Sequence, residues 1–104
     1  MIKVRITKKD NIIEKIDCSG HAGYAKYGKD IVCASISTMI ITVINSIINI
    51  DDKAISYTES NNLNITNIKK DNITNSLLNT LVDLMYELRD SYDKNIDIKE
   101  ESHD

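Results

Sequence analysis

Ile36-Ser37-Thr38-Met39-Ile40-Ile41-Thr42-Val43-Ile44-Asn45-Ser46-Ile47-Ile48-Asn49-Ile50 is the greasiest stretch of the chain, and how it is read decides the fold. Ile36, Met39, Ile40, Val43, Ile44, Ile47 and Ile48 follow the i, i+3, i+4, i+7 spacing of one helix face. A membrane span needs about 18 or more nearly unbroken apolar residues. This stretch is interrupted by Ser37, Thr38, Thr42, Asn45, Ser46 and Asn49, so the spacing predicts a core helix and no membrane association. Ile41 and Ile50 widen the stripe, and the helix is expected to be covered on more than one side.

Upstream, Ile2, Val4 and Ile6 alternate with Lys3, Arg5 and Thr7, the period of a half-buried strand. Lys9-Asp10-Asn11 reads as a turn. Ile12, Ile16 and Cys18 share parity in a second strand, with Glu14 intruding among them. Downstream, Asp51-Asp52 ends the helix. Ile55 and Tyr57 alternate in a third strand, Ser60-Asn61-Asn62 signals a turn, and Leu63 and Ile65 alternate in a fourth. Asp71 or Asn72 can cap a second helix with the stripe Ile73, Leu77, Leu81, Leu84 and Leu88, flanked by Leu78 and Met85. Ile96 and Ile98 suggest a short last strand before a charged tail, Lys99 to Asp104. The order strand, strand, helix, strand, strand, helix, strand predicts an α+β two-layer sandwich. Its sheet is antiparallel or mixed, with two helices on one face, in a single domain over residues 1–104. The open edge of so small a sheet and the broad first helix together point to a homodimer.

Composition narrows the functions. Of 104 residues, 41% are hydrophobic and 28% charged, which is ordinary globular usage. Five Tyr, no Phe and no Trp leave little to stack bases on, and a net charge of -3 supplies no basic surface, so direct nucleic-acid binding is not expected. The N-terminus alternates from its first residues instead of showing a signal-peptide block. Two cysteines make no disulfide framework, and reduced thiols in the cytoplasm are the expectation. The abundance of Ile, Asn and Lys reads as base bias with no functional meaning.

All three glycines, Gly20, Gly23 and Gly28, fall in one loop that also carries His21 and leads into Cys33. Loops held by a rigid scaffold are a usual place for function. If Asp30 caps the first helix, Cys33 falls in its opening turn, where unsatisfied N–H groups and the dipole favour a thiolate. The alternative is a small apolar residue packed under the helix start. His21 is suited to take a thiol proton and return it to a leaving amine, or is an exposed loop histidine. Asp30 is either the helix cap or the group that orients His21. Lys26 and Lys29 read as solvated charges. Cys18, His21 and Cys33 form an incomplete zinc set that only His103 could complete. No metal or other cofactor is expected, and a disulfide between Cys18 and Cys33 ranks lower still.

Gly20-His21-Ala22 followed by Gly28-Lys29-Asp30-Ile31-Val32-Cys33-Ala34-Ser35-Ile36-Ser37 closely resembles the signature of the ribosomal-processing cysteine protease family, Prp. The likeness extends by pattern over essentially the whole chain. It implies an endopeptidase of low-GC Gram-positive bacteria and their relatives. Its implied substrate is the N-terminal extension of large-subunit ribosomal protein twenty-seven, removed during ribosome assembly. The family's nucleophile falls on Cys33, its general base on His21 and its aspartate on Asp30. The resemblance also implies a homodimer and a glycine-flanked loop that orders over bound peptide. The oxyanion is expected to meet backbone N–H groups, with the helix start as one source. The competing reading is a non-enzymatic ribosome-associated or dimerisation module with Cys33 as a core residue.

Overall fold

The computed structural model describes the chain apart from His21, Ala22, Tyr24, Tyr27, Gly28, Ser60, Asn61, His103 and Asp104. Its elements follow the expected order: β1 (Ile2–Lys9), β2 (Ile12–Ser19), α1 (Ile31–Ile50), β3 (Ile55–Thr58), β4 (Leu63–Asn67), α2 (Asn72–Ser91) and β5 (Ile96–Ser102). Asp10 (φ 52°) and Asn11 (φ 65°) make the β1–β2 turn. Positive φ at both central residues suits a two-residue hairpin, because it matches the twist of the strands.

The sheet order is β3-β4-β2-β1-β5, with β1 and β5 parallel and the other pairs antiparallel. The sheet is therefore mixed. β2 crosses over through α1 to β3 in one lateral direction, and the oppositely running β4 crosses through α2 to β5 in the other. Such connections are nearly always right-handed, and two right-handed crossovers of opposite direction land on the same sheet face. Burial agrees. Ile2, Val4 and Ile6 of β1, Ile16 of β2, Ile65 of β4 and Ile96 and Ile98 of β5 are all buried, while Lys3 and Arg5 point the other way to solvent. The core lies between that face and Val32, Ile36, Ile40, Val43, Ile44 and Ile47 of α1 with Leu78, Leu81, Val82 and Met85 of α2. α1 is long and apolar enough to cross a bilayer, but the fold uses it as the core helix that its interrupted pattern predicts.

Four details correct the sequence reading. The first is β2, where Ile13 is buried and Ile12 is not. The ladder shifts between Thr7↔Lys15 and Lys8↔Ile13, so Glu14 is the extra residue of a β-bulge that reverses parity. Ile13 keeps its pairing with Lys8 but lies beyond the β2–β4 ladder, which extends only to Lys15↔Thr66, and two asparagines meet its backbone groups. Ile13 N–H donates to Asn75 Oδ1 at 2.9 Å, and the amide of the buried Asn67 donates to Ile13 O at 2.9 Å. These two asparagines therefore have structural work, beyond any base bias.

Second, the buried face of α2 is Thr74, Leu78, Leu81, Val82 and Met85, whereas Ile73 is 56% exposed. Third, Ile41 and Ile50 of α1 are 52% and 60% exposed, so the chain does not cover the helix there. Fourth, most of the expected charged tail is strand: β5 pairs with β1 as far as Lys8↔Ser102. Its charges carry Lys8–Glu100 at 2.9 Å and Arg5–Glu101 at 3.4 Å on an edge strand, a usual protection against edge-to-edge pairing.

Candidate active site

α1 begins at Ile31 because Asp30 caps it. With φ -82° and ψ 100°, Asp30 stands outside the helix, and its Oδ1 accepts the N–H groups of Val32 and Cys33, each at 3.0 Å. Its Oδ2 accepts Ala25 N–H at 3.5 Å, which ties the glycine loop to the helix start. The cap reading of Asp30 is therefore what the geometry displays, and it sets Cys33 as the third residue of the helix. Cys33 is half-buried, with its backbone held by the cap. The cap also has a cost for the chemistry. Two of the helix-start amides expected for an oxyanion are occupied by a carboxylate, and Ala34 N–H donates to Asp30 O at 3.1 Å. Among the first-turn amides, Ile31 N–H is the one these contacts leave over.

Gly20 starts the loop with φ +84°, a left-handed conformation, and a Cβ there would run into the Met1 carbonyl oxygen. Both facts require glycine. Gly20→Ala is expected to lower stability by about 1–3 kcal/mol, since left-handed backbone alone costs a non-glycine residue about 1–2 kcal/mol. Chemical denaturation of the two proteins checks this. Gly23 also has positive φ (+70°), but a Cβ there meets nothing within 4 Å. Lys26 and Lys29 are exposed, as expected. His21 and Gly28 lie outside the described residues, as does any orientation of His21 by Asp30.

The structure adds a neighbour that the sequence reading treated only as a zinc or disulfide candidate. Cys18 points to the helix-bearing face, paired with Val4 on one side and Leu63 on the other. Burial, and secondarily the nearby charge of Cys33, push its thiol up to about 11. At pH 8 such a thiol is ionised to about one part in a thousand, and the thiolate is the alkylating form. Iodoacetamide on the native protein at that pH is therefore expected to leave Cys18 largely unmodified while Cys33 reacts, read by peptide mass mapping. Of the zinc set considered, Cys18 and Cys33 are neighbours, and His21 and His103 lie outside the described residues. No disulfide joins the two thiols.

The sequence reading also missed a pocket of about 190 Å³ lined by Ser37, Ile40, Ile41, Glu59, Asn62 and Leu63. Ser37, Ile40 and Ile41 stand four, seven and eight residues after Cys33, a helical spacing that could have flagged them. Glu59 and Leu63 join them only through the tertiary fold.

None of the curated proteins matches this chain. Among solved structures, the essential ribosomal processing protease Prp from Staphylococcus aureus is similar in two complexes. With a covalently linked product peptide it superposes with a TM-score of 0.91 at 25% identity, covering 97% of this chain and 100% of that one. With a substrate peptide the values are 0.85 and 24%, with the same coverage. A protein from Streptococcus mutans is similar at a TM-score of 0.83 and 22% identity, covering 99% of this chain and 96% of that one. Residues 1–97 also match the family described as cysteine protease Prp. A helix with Cys33 in its first turn, preceded by the stretch that holds all three glycines, is thus set in a chain that, over nearly its whole length, belongs to the Prp family of cysteine proteases.

Proposed function

We propose that the chain is an endopeptidase with Cys33 as nucleophile and His21 as general base and acid, and that it removes the N-terminal extension of large-subunit ribosomal protein twenty-seven. The observation that carries the reading is Cys33 in the opening turn of the capped core helix, downstream of the Gly20-His21 loop, in a chain of this family. The related Staphylococcus aureus protease, which holds a covalently linked product peptide, supports a peptide substrate.

In this mechanism His21 takes the Cys33 thiol proton and Sγ attacks the scissile carbonyl carbon. The tetrahedral oxyanion collapses as His21 protonates the departing amine, leaving a thioester. Water then attacks with His21 as base, and the acid product leaves with the thiol restored. Because Asp30 holds the Val32 and Cys33 amides, the oxyanion takes Ile31 N–H and donors brought by the loop, each worth about 3–4 kcal/mol. Asp30 supports catalysis by fixing the helix start and the Ala25 end of the loop. Gly20, Gly23 and Gly28 let that loop close over peptide. The reading includes a cytoplasmic homodimer, favoured by the exposed Ile31 and Ile41 on a helix that carries no charged residue.

The test is incubation of the purified chain with a synthetic peptide spanning the extension junction, read by mass spectrometry beside a Cys33→Ala control. Cleavage at one bond by the wild type alone is the expected result. An intact peptide, or equal cleavage by both proteins, overturns it.

A further inference from the structure

The pocket beside α1 lies on the helix face that also carries Cys33, since Ser37, Ile40 and Ile41 follow it at helical spacing. Along the helix, Ser37 lies about 6 Å beyond Cys33, and Ile40 and Ile41 about 10–12 Å beyond it, at 1.5 Å per residue. From the sheet side, Leu63 is the direct β4 partner of Cys18, the residue neighbouring Cys33. An extended peptide advances about 3.3 Å per residue, so the pocket lies two to four residues from a bond held at Cys33.

Its lining has two kinds of surface. Ile40, Ile41 and Leu63 make an apolar floor, and Ser37 and Asn62 are neutral. Glu59 is the one charged group among the described lining residues, and α1 contributes no charge along its whole length. Glu59 is exposed and enters none of the structure's ion pairs among the described residues. A purely apolar side chain in this pocket would pull water from that carboxylate with nothing to replace it. A long aliphatic stem ending in a cation satisfies both surfaces, the stem on the isoleucines and the head on the carboxylate.

We infer that this pocket is a specificity subsite for a lysine or arginine side chain of the peptide substrate, two to four residues from the scissile bond, with Glu59 as the group that selects the charge. The inference rests on the endopeptidase reading and adds a sequence preference to it.

The experiment takes the junction peptide and replaces each position within four residues of the scissile bond by lysine, norleucine or glutamate. The kcat/KM of each is measured with the wild type, Glu59→Gln and Glu59→Lys. At one position the wild type is expected to prefer lysine over norleucine about threefold to fivefold, and over glutamate about tenfold, the size of a partly solvated ion pair. Glu59→Gln is expected to erase that preference, and Glu59→Lys to turn it toward glutamate, with other positions unchanged. Norleucine preferred over lysine at every position, or a lysine preference untouched by either variant, overturns the subsite while leaving the endopeptidase intact. Failure of the wild type to cleave any peptide of the series overturns both.

Discussion

Cys33→Ala is expected to abolish cleavage of the junction peptide, by about 10⁴-fold or more, as removal of an enzyme's covalent nucleophile does. The protein is expected to stay folded. Cys33 is only half-buried, and the cap contact that positions it uses its backbone N–H, which alanine retains. Exchange of a half-buried thiol for a methyl group should therefore move stability by less than about 1 kcal/mol. Circular dichroism and the denaturation midpoint check that half, and initial rates by mass spectrometry check the other. His21→Ala belongs in the same series and is expected to lose cleavage too, since the proposed mechanism gives the thiol no other base. If Cys33→Ala still cleaves, the nucleophile lies elsewhere. Cys18, the chain's other thiol, is a poor substitute, because burial holds it in the protonated form. Fast alkylation of Cys33 with loss of activity, while Cys18 stays unmodified, would tie the reactive sulfur to the catalytic one.

What the sequence revealed about this site depended on how local the physics was. Asp30 as a cap is a short-range matter of a carboxylate and the amides two and three residues on, so the sequence offered it, beside the alternative that Asp30 orients His21. The Lys9-Asp10-Asn11 turn and the interrupted apolar pattern of α1 were legible in the same way, and the second cap was narrowed to Asp71 or Asn72, of which the structure uses Asp71. Features that needed a partner from elsewhere were out of reach. Glu14 looked like an intruder because a bulge is defined by the facing strand, here at Thr7 and Lys8. Lys99 to Ser102 looked like a tail because its order comes from pairing with β1 and from Lys8 and Arg5, which are far away in sequence. Cys18 beside Cys33, and Glu59 beside Ile40, are brought together only by the β2–β4 ladder and the packing of α1. The pocket was thus less legible than the helix start that carries Cys33. A cap and a glycine loop are local in sequence, whereas a pocket is assembled from separate elements.

The largest expected loss of stability tests the other correction, the face that α2 turns inward. Leu81→Ala is expected to destabilise the chain by about 2–5 kcal/mol, and Ile73→Ala by less than about 1 kcal/mol, although both residues stand on the stripe read from the sequence. The difference is burial. Leu81 is fully buried, grouped with Thr74, Leu78, Val82 and Met85, so its truncation leaves a cavity that close-packed neighbours cannot fill. Ile73 is 56% exposed in the first turn, near Ile47 and Ile50 at the far end of α1. Alanine there gives up little burial, and its better helix propensity offsets part of the loss. A domain of this size has about 5–15 kcal/mol in total, so Leu81→Ala should lower Tm by on the order of 15 °C. Ile73→Ala should hardly move it, in paired denaturant and calorimetric experiments. Equal losses would mean that the leucine-rich stripe is the true inner face. Every α2 contact with the sheet would then be rotated, including those that place Asn75 against the β2 bulge. A large loss at Leu81 alone would show that Thr74 and Val82, less apolar than the leucines beside them, hold their buried places because the register of the helix on the sheet demands it.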